Sequence, residues 1–304
     1  MNHPLSYLII GAGGTGGAIG AYLAKAGKDV TWIARGSHLD AIQKQGLTLT
    51  RPDDSFTIHP AKACTMEEYD GHPDVIFVCV KGYSIESIIP FLQRAADPHT
   101  VVIPILNIYG TGGKIQPHLP GVPVMDGCVY VAAHREADGK IRLSANLLRV
   151  VFGPRTEEAS LPVLQTIRDE MAASGIETIL SDNIRRDAMV KYSYISAQNA
   201  CGLYYDIPAG PMQKPGEERD CFAGLCAEIE KLGNAMGITF EEDLAQRNLA
   251  IIDSLGPEML TSMQRDIKDG RPSEIDGLVF EVLRLAEEYH VSLPLYEKIA
   301  NALR

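Results

Sequence analysis

Tyr7-Leu8-Ile9-Ile10-Gly11-Ala12-Gly13-Gly14-Thr15-Gly16-Gly17-Ala18 is the stretch on which the fold turns. A short apolar run of strand character leads into Gly11, Gly13 and Gly16 at G-x-G-x-x-G spacing, and a helical run follows from Ala18 to Ala26. The first glycine permits a tight turn, the second lets a pyrophosphate come up to the backbone, and the third lets helix and strand pack closely. The free amides and positive end of the helix then face the anion. Gly14 lies in the same loop and counts with the other three as a cofactor-binding position. A glycine triplet alone is weak evidence; placed inside a strand-helix-strand unit it reads as a dinucleotide loop.

The second strand, Val30 to Ala34, ends in Arg35, where an NAD enzyme usually carries an acidic residue for the ribose hydroxyls. A guanidinium there suits a 2′-phosphate, so NADP (NADPH) is expected over NAD. The plainer alternative is a solvated charge at a strand end. Asp29 precedes the strand and stands too early to reach the ribose.

Strands are expected at Tyr7 to Ile10, Val30 to Ala34, Val75 to Val80 and Val101 to Leu106, alternating with helices as in a parallel sheet with crossovers. Pro104 lies inside the last strand, where it removes a ladder donor. Asp126 to His134 and Lys140 to Leu147 flank the turn Ala137 to Gly139 and read as a hairpin appended to that sheet. Leu161, Leu164, Ile167 and Met171 recur at helical spacing up to Gly175, and Ile176 to Ile179 forms one more strand. From Ser181, a candidate cap, the chain reads as helices punctuated by Pro208, Gly237, Gly256-Pro257, Gly270 and Pro294. The expected class is α/β: an N-terminal Rossmann-type parallel-sheet domain, residues 1–181, then an all-α domain, residues 182–304.

The chain has 304 residues, 45% of them hydrophobic, enough for more than one core. A formal net charge of -11 argues against nucleic acid as the main partner. The six cysteines show no C-x-x-C spacing, so neither a zinc site nor a disulfide framework is indicated, and no metal is expected. Residues 5 to 24 are uncharged but hold six glycines and lack a basic region before them, so they are read as part of the fold rather than a leader or membrane span. These features suit a cytoplasmic protein with a small-molecule substrate. A stripe at Leu278, Val279, Val282, Leu283 and Leu285 is compatible with a homodimer and equally with plain core.

Several residues together resemble the ketopantoate reductase (2-dehydropantoate 2-reductase) family. They are the opening loop, Ala34-Arg35-Gly36-Ser37-His38, Val80-Lys81, Asn107 with Gly110-Thr111, a helix bearing Lys191 and Asn199, and Ser262-Met263-Gln264-Arg265-Asp266-Ile267 with Glu274. The resemblance implies NADPH-dependent reduction of a 2-oxo acid on the pantothenate route, in a Rossmann domain and a helical domain around a cleft. It implies Lys191 as general acid, Glu274 as binder of the substrate hydroxyl, and Ser262 and Asn199 as substrate residues. Asn107 would lie between nicotinamide and substrate, and Lys81 would line the cofactor cleft.

Elementary chemistry asks for similar groups. Hydride arriving at a carbonyl leaves an alkoxide, which a desolvated ammonium can protonate. Lys191, Ile195 and Asn199 are four apart and share one helical stripe. Ser273 with Asp276 also reads as a capping box, which leaves Glu274 as either a helix-start acid or a site residue. Asn107 stands equally as a turn residue, Ser262 as a surface hydroxyl and Lys81 as a solvated strand-end charge.

Two family asparagines are replaced, by Ile195 and by Ala209, and the glycine usual after Asn107 is Ile108. The natural substrate is therefore open to being another small 2-oxo acid. Ser193, Tyr194, Ser196 and Gln198 are further candidates for polar contacts. Two other readings stand beside this one: an opine- or imine-forming dehydrogenase, which lacks the expected histidine at the start of the Lys191 helix, and a non-catalytic NADP-binding redox sensor.

Overall fold

The computed structural model describes residues 4–156 and 161–304. The chain divides into two compact units, one of residues 4–106 and 110–184, the other of residues 107–109 and 185–304.

The first unit is built on a parallel sheet of five strands. These are β1 (Ser6–Ile10), β2 (Asp29–Ile33), β5 (Lys62–Cys64), β6 (Val75–Val78) and β7 (Val101–Pro104), in the order β5-β2-β1-β6-β7. Period-two alternation sends the two faces into different cores. Tyr7, Ile9, Val75, Phe77, Val101 and Ile103 pack on one side, and Leu8, Ile10, Ile76, Val78 and Val102 on the other. Each fully buried Leu, Ile or Val side chain contributes about 1.5–3 kcal/mol relative to exposure. That dual burial explains why these strands read as continuous apolar runs.

Pro104 is the last residue of an edge strand, paired with Val78 on its inner side. The outward-facing amide of Val102 bonds Pro123 O, and the position two residues on has no ladder partner to lose. The proline therefore ends the strand without breaking it.

Helix α1 (Gly14–Lys25) is glycine-rich because it lies very close to the sheet. A Cβ at Gly16 would come within 2.2 Å of Gly11 O, and one at Gly20 within 2.4 Å of the Trp32 indole nitrogen. Helices α2 (Gly36–Gln45) and α3 (Ile85–Ala95) follow, and short α4 (Thr111–Ile115) starts where the Asp126 carboxylate accepts the Gly112 amide at 2.7 Å.

The hairpin reading needs correction. β8 (Asp126–Ala137) and β9 (Lys140–Gly153) do pair antiparallel, but they belong to a second sheet with β3 (Leu47–Thr50), β4 (Ser55–Ile58) and β10 (Glu177–Leu180), in the order β10-β9-β3-β4. β9 runs parallel to both β3 and β10, so it cannot extend the first sheet while it occupies that place. Helix α5 (Pro162–Ala173) precedes β10 and ends at Gly175, whose φ of 90° only glycine adopts freely. Ser181 lies in the turn that leads into the next helix. Its Oγ accepts the Asn183 amide at 3.0 Å in the turn before α6 (Ile184–Tyr204).

The second unit is helical. Its elements are α6, short α7 (Ala209–Met212), α8 (Glu217–Ala235), α9 (Leu244–Asp253), α10 (Ser262–Lys268), a π turn at Asp276–Phe280, α11 (Glu281–Glu288) and α12 (Pro294–Leu303). From Ala188 to Gly202, α6 is buried at every position except Val190, Lys191 and Ile195. It is the central post of this unit, which is why no single apolar face stands out in its sequence. Leu278, Val279 and Val282 are buried in this unit's own core, with Leu283 and Leu285 packed against it, so that stripe carries no argument for a dimer. Among the described residues no helix is long and apolar enough to cross a membrane.

Candidate active site

In an open parallel sheet, ligands bind outside the carboxyl ends of the strands, where the connections switch direction. Here the switch lies between β1 and β6, which are neighbours although four strands separate them in sequence. Gly11 follows β1, Arg35 closely follows β2, Lys81 follows β6, and Asn107 stands three residues beyond β7. Gly11, Arg35 and Lys81, far apart in the chain, thus emerge at the same edge of one sheet.

The loop itself has the shape required of a cradle. Gly11 has a φ of 100°, and a Cβ there would press on Cys79 O at 2.9 Å. Gly14 would meet Ala133 O at 2.6 Å, whereas a Cβ at Gly13 would meet nothing within 4 Å. Gly13 is also the N-cap of α1, and no side chain caps that terminus. The loop thus leaves uncapped first-turn amides beside open space, which fits a dinucleotide pyrophosphate.

Arg35 is exposed and is the N-cap of α2, again without a side-chain cap, and Gly36 follows with a φ of 58°. An exposed guanidinium beside helix-start amides that no side chain caps fits a second anionic group. Asp29 stands at the opposite, amino end of β2, paired with Lys62 at 2.7 Å. Lys81 and Asn107 are both half-buried.

In the helical unit, Lys191 and Ile195 form the half-exposed stripe of an otherwise buried stretch of α6, with Asn199 buried one turn further. Asn199 donates from Nδ2 to Ile195 O at 2.7 Å, and its Oδ1 has no hydrogen-bond donor. A buried acceptor left unmatched costs about 1–3 kcal/mol, so it stands ready for a donor. Ser262 is exposed at the first position of α10, behind a capping box formed by Thr261 and Gln264.

Glu274 is buried at 7% exposure, just before the π turn. The capping box anticipated at Ser273 and Asp276 does not form, because Asp276 instead receives the Arg284 guanidinium on both carboxylate oxygens, at 3.0 and 2.8 Å. Ile108 packs over Gly277, where an added Cβ would come within 2.3 Å of its Cδ1, so the bulk of one is matched by the bareness of the other. Ala209 is fully buried, its amide bonded to Met259 O at 3.0 Å.

Ser193 and Ser196 point inward rather than toward any ligand. Ser193 Oγ donates to Val190 O and accepts from Asn248, and Ser196 Oγ donates to Leu278 O. The role of His38 was missed in the sequence. Its buried ring bridges Ala12 O in the glycine loop and the Gly139 amide in the β8–β9 turn.

Residues 7–157 match the family described as ketopantoate reductase PanE/ApbA, and residues 183–304 match the C-terminal part of the same family. The chain belongs to the ketopantoate reductase family. It is 28% identical to a 2-dehydropantoate 2-reductase of Mesorhizobium japonicum, over 97% of this chain and 96% of the relative. It is also 27% identical to the uncharacterized oxidoreductase YkpB of Bacillus subtilis, with the same coverage of 97% and 96%. Among solved structures, 2-dehydropantoate 2-reductase from Porphyromonas gingivalis W83 superposes with a TM-score of 0.85 at 27% identity, over 99% of both chains. A D-mandelate dehydrogenase solved with NADH and anilino(oxo)acetate shares the fold, with a TM-score of 0.86 at 21% identity over 97% of this chain and 96% of that one. Membership in this family makes the chain an oxidoreductase.

Proposed function

We propose that the protein reduces a small 2-oxo acid with NADPH, ketopantoate being the first substrate to test. The observation that supports this most is the convergence of the glycine loop, Arg35 and Lys81 at the carboxyl edge of one parallel sheet in a chain of this family. The amides of the Gly11–Gly16 loop would hold the pyrophosphate, and Arg35 with the start of α2 would hold the 2′-phosphate. Lys81 and Asn107 would line the nicotinamide end. The bound cofactor supplies a hydride to the substrate carbonyl carbon.

The remaining chemistry belongs to the side chains. Lys191 polarises the carbonyl oxygen and gives it a proton as the carbon gains hydride, so the ketone becomes a secondary alcohol and the neutral amine recovers its proton from water. Glu274 accepts a hydrogen bond from a substrate hydroxyl. Ser262 and the unmatched Asn199 Oδ1 supply further polar contacts.

Ile195, Ile108 and Ala209 make this site more apolar than the family pattern, which favours substrates with fewer hydroxyls. The relative that binds anilino(oxo)acetate lends weight to an aromatic or aliphatic 2-oxo acid as the second reading. Steady-state NADPH oxidation against ketopantoate, 2-oxoisovalerate and phenylglyoxylate separates the two by their kcat/KM order. Absence of turnover with all of them, with NADPH still bound, would leave a cofactor-binding protein without this reaction.

A further inference from the structure

The π turn at Asp276–Phe280 is held from two sides. Such widened turns are rare insertions in helices and concentrate at functional sites. On the buried side, Tyr192 Oη donates to Gly277 O at 2.8 Å and Ser196 Oγ donates to Leu278 O at 2.6 Å. A hydroxyl has one proton, and that of Ser196 is committed to Leu278, so Tyr296 must donate to Ser196 Oγ across their 2.7 Å contact. All three hydroxyl-bearing residues are essentially inaccessible to solvent. On the outer side, Arg284 clasps Asp276 and also Glu281, the latter at 2.7 Å.

The chain of bonds reaches Glu274 directly. Leu278, whose carbonyl Ser196 holds, donates its own amide to Glu274 O at 3.0 Å. Tyr192 follows Lys191 on α6, and Tyr192 and Ser196, four apart, form a stripe about 100° round the helix from Lys191 and Ile195. One turn of α6 therefore carries Lys191 on one stripe and fastens the Glu274 segment with the next. The Tyr192 ring also packs against Tyr109, two residues after Asn107, with centroids 6.0 Å apart.

We propose that Tyr192 and Ser196 are positioning residues that fix Glu274 relative to Lys191 by clamping the carbonyls of the π turn, without touching substrate themselves. This rests on the reading of Lys191 and Glu274 given above.

The test is a double-mutant cycle. Tyr192→Phe keeps the ring and its contact with Tyr109 and removes only the donor. It should lower kcat/KM for the best 2-oxo acid about five- to twentyfold, mainly through KM, while NADPH affinity stays within about twofold. In a Glu274→Gln background the same change should cost less than about twofold, because the group being positioned no longer acts. A full-strength loss in both backgrounds, with a parallel fall in thermal midpoint, would mean a merely structural role and overturn the proposal. A Glu274→Gln protein as active as the parent would overturn the reading of the site, and the proposal with it. The second comparison uses Ser196: Ser196→Thr keeps a hydroxyl and should preserve activity that Ser196→Ala loses, and equal losses would also overturn the clamp.

Discussion

The Nε2 atom of His38 lies 2.8 Å from the carbonyl oxygen of Ala12, the second residue of the glycine loop. On the far side of the ring, Nδ1 accepts the Gly139 amide at 3.0 Å. An amide can only donate, so Nδ1 carries no proton and the ring is the neutral Nε2–H tautomer. Burial holds its pKa below the ordinary histidine value, Arg135 lowers it further, and the Ala12 carbonyl and Asp138 carboxylate pull the other way. The unfolded chain takes up this proton near pH 6.5 while the folded chain does not, so stability should fall as pH drops below about 6.5. His38→Gln should be less stable than the parent by about 1–2 kcal/mol at neutral pH, and the gap should narrow on the acid side. Thermal midpoints of both proteins from about pH 5 to 7.5 measure it; a gap constant across that range would remove His38 from the acid response.

Two glycines of the same loop should separate folding from binding. A Cβ at Gly16 would lie 2.2 Å from Gly11 O, 2.8 Å from Ile9 Cγ2 and 2.9 Å from Cys79 Cβ, and neither backbone nor strand can yield cheaply. Gly16→Ala should therefore cost about 1–3 kcal/mol of stability. Gly13→Ala meets no atom of the protein within 4 Å and should leave the thermal midpoint nearly unchanged. Its methyl would instead occupy the approach of the pyrophosphate, so NADPH affinity should fall at least about tenfold. Titration of NADPH fluorescence and a melting curve on both variants settle the contrast.

The parallel sheet was legible because burial on both faces made its strands plain apolar runs, as at Val75–Val78. The second sheet was not, since Leu47–Thr50 is buried only at alternate positions and its partner strand begins at Lys140. Pairing over that separation leaves no local signal, and the hairpin at Asp126 was assigned to the wrong sheet for the same reason. The glycine loop, and the place of Arg35 just beyond a strand, could be read from spacing alone. Glu274 could not, because a capping box and a π turn compete for the same residues, and the hydroxyls that stand with the π turn lie 82 and 85 positions away in sequence. His38 escaped notice because a lone histidine in a helix carries no mark of the carbonyl it meets.

Arg35 is exposed at the start of α2, whereas Arg51 and Arg219 are tied to Asp54 and Asp253. On the proposed reading its charge selects between cofactors. Arg35→Ala should raise the dissociation constant for NADPH about ten- to a hundredfold and that for NADH less than about twofold, with little change in melting temperature. Equal weakening of both cofactors would show that the guanidinium does not read the 2′-phosphate.

Lys191 shares its half-exposed stripe with Ile195, and the contrast between them gives the sharpest test of the chemistry. Removing a general acid raises the barrier to the transition state while leaving cofactor binding alone, so Lys191→Ala should lower kcat by about 10²- to 10⁴-fold with NADPH affinity nearly unchanged. Ile195→Asn changes the wall and not the acid. It should leave turnover of the best substrate within about tenfold while shifting kcat/KM toward hydroxylated 2-oxo acids such as ketopantoate over apolar ones. If both variants lost kcat alike on every substrate, the stripe would be acting through the integrity of α6, and neither a proton donor nor a specificity wall could be assigned to it.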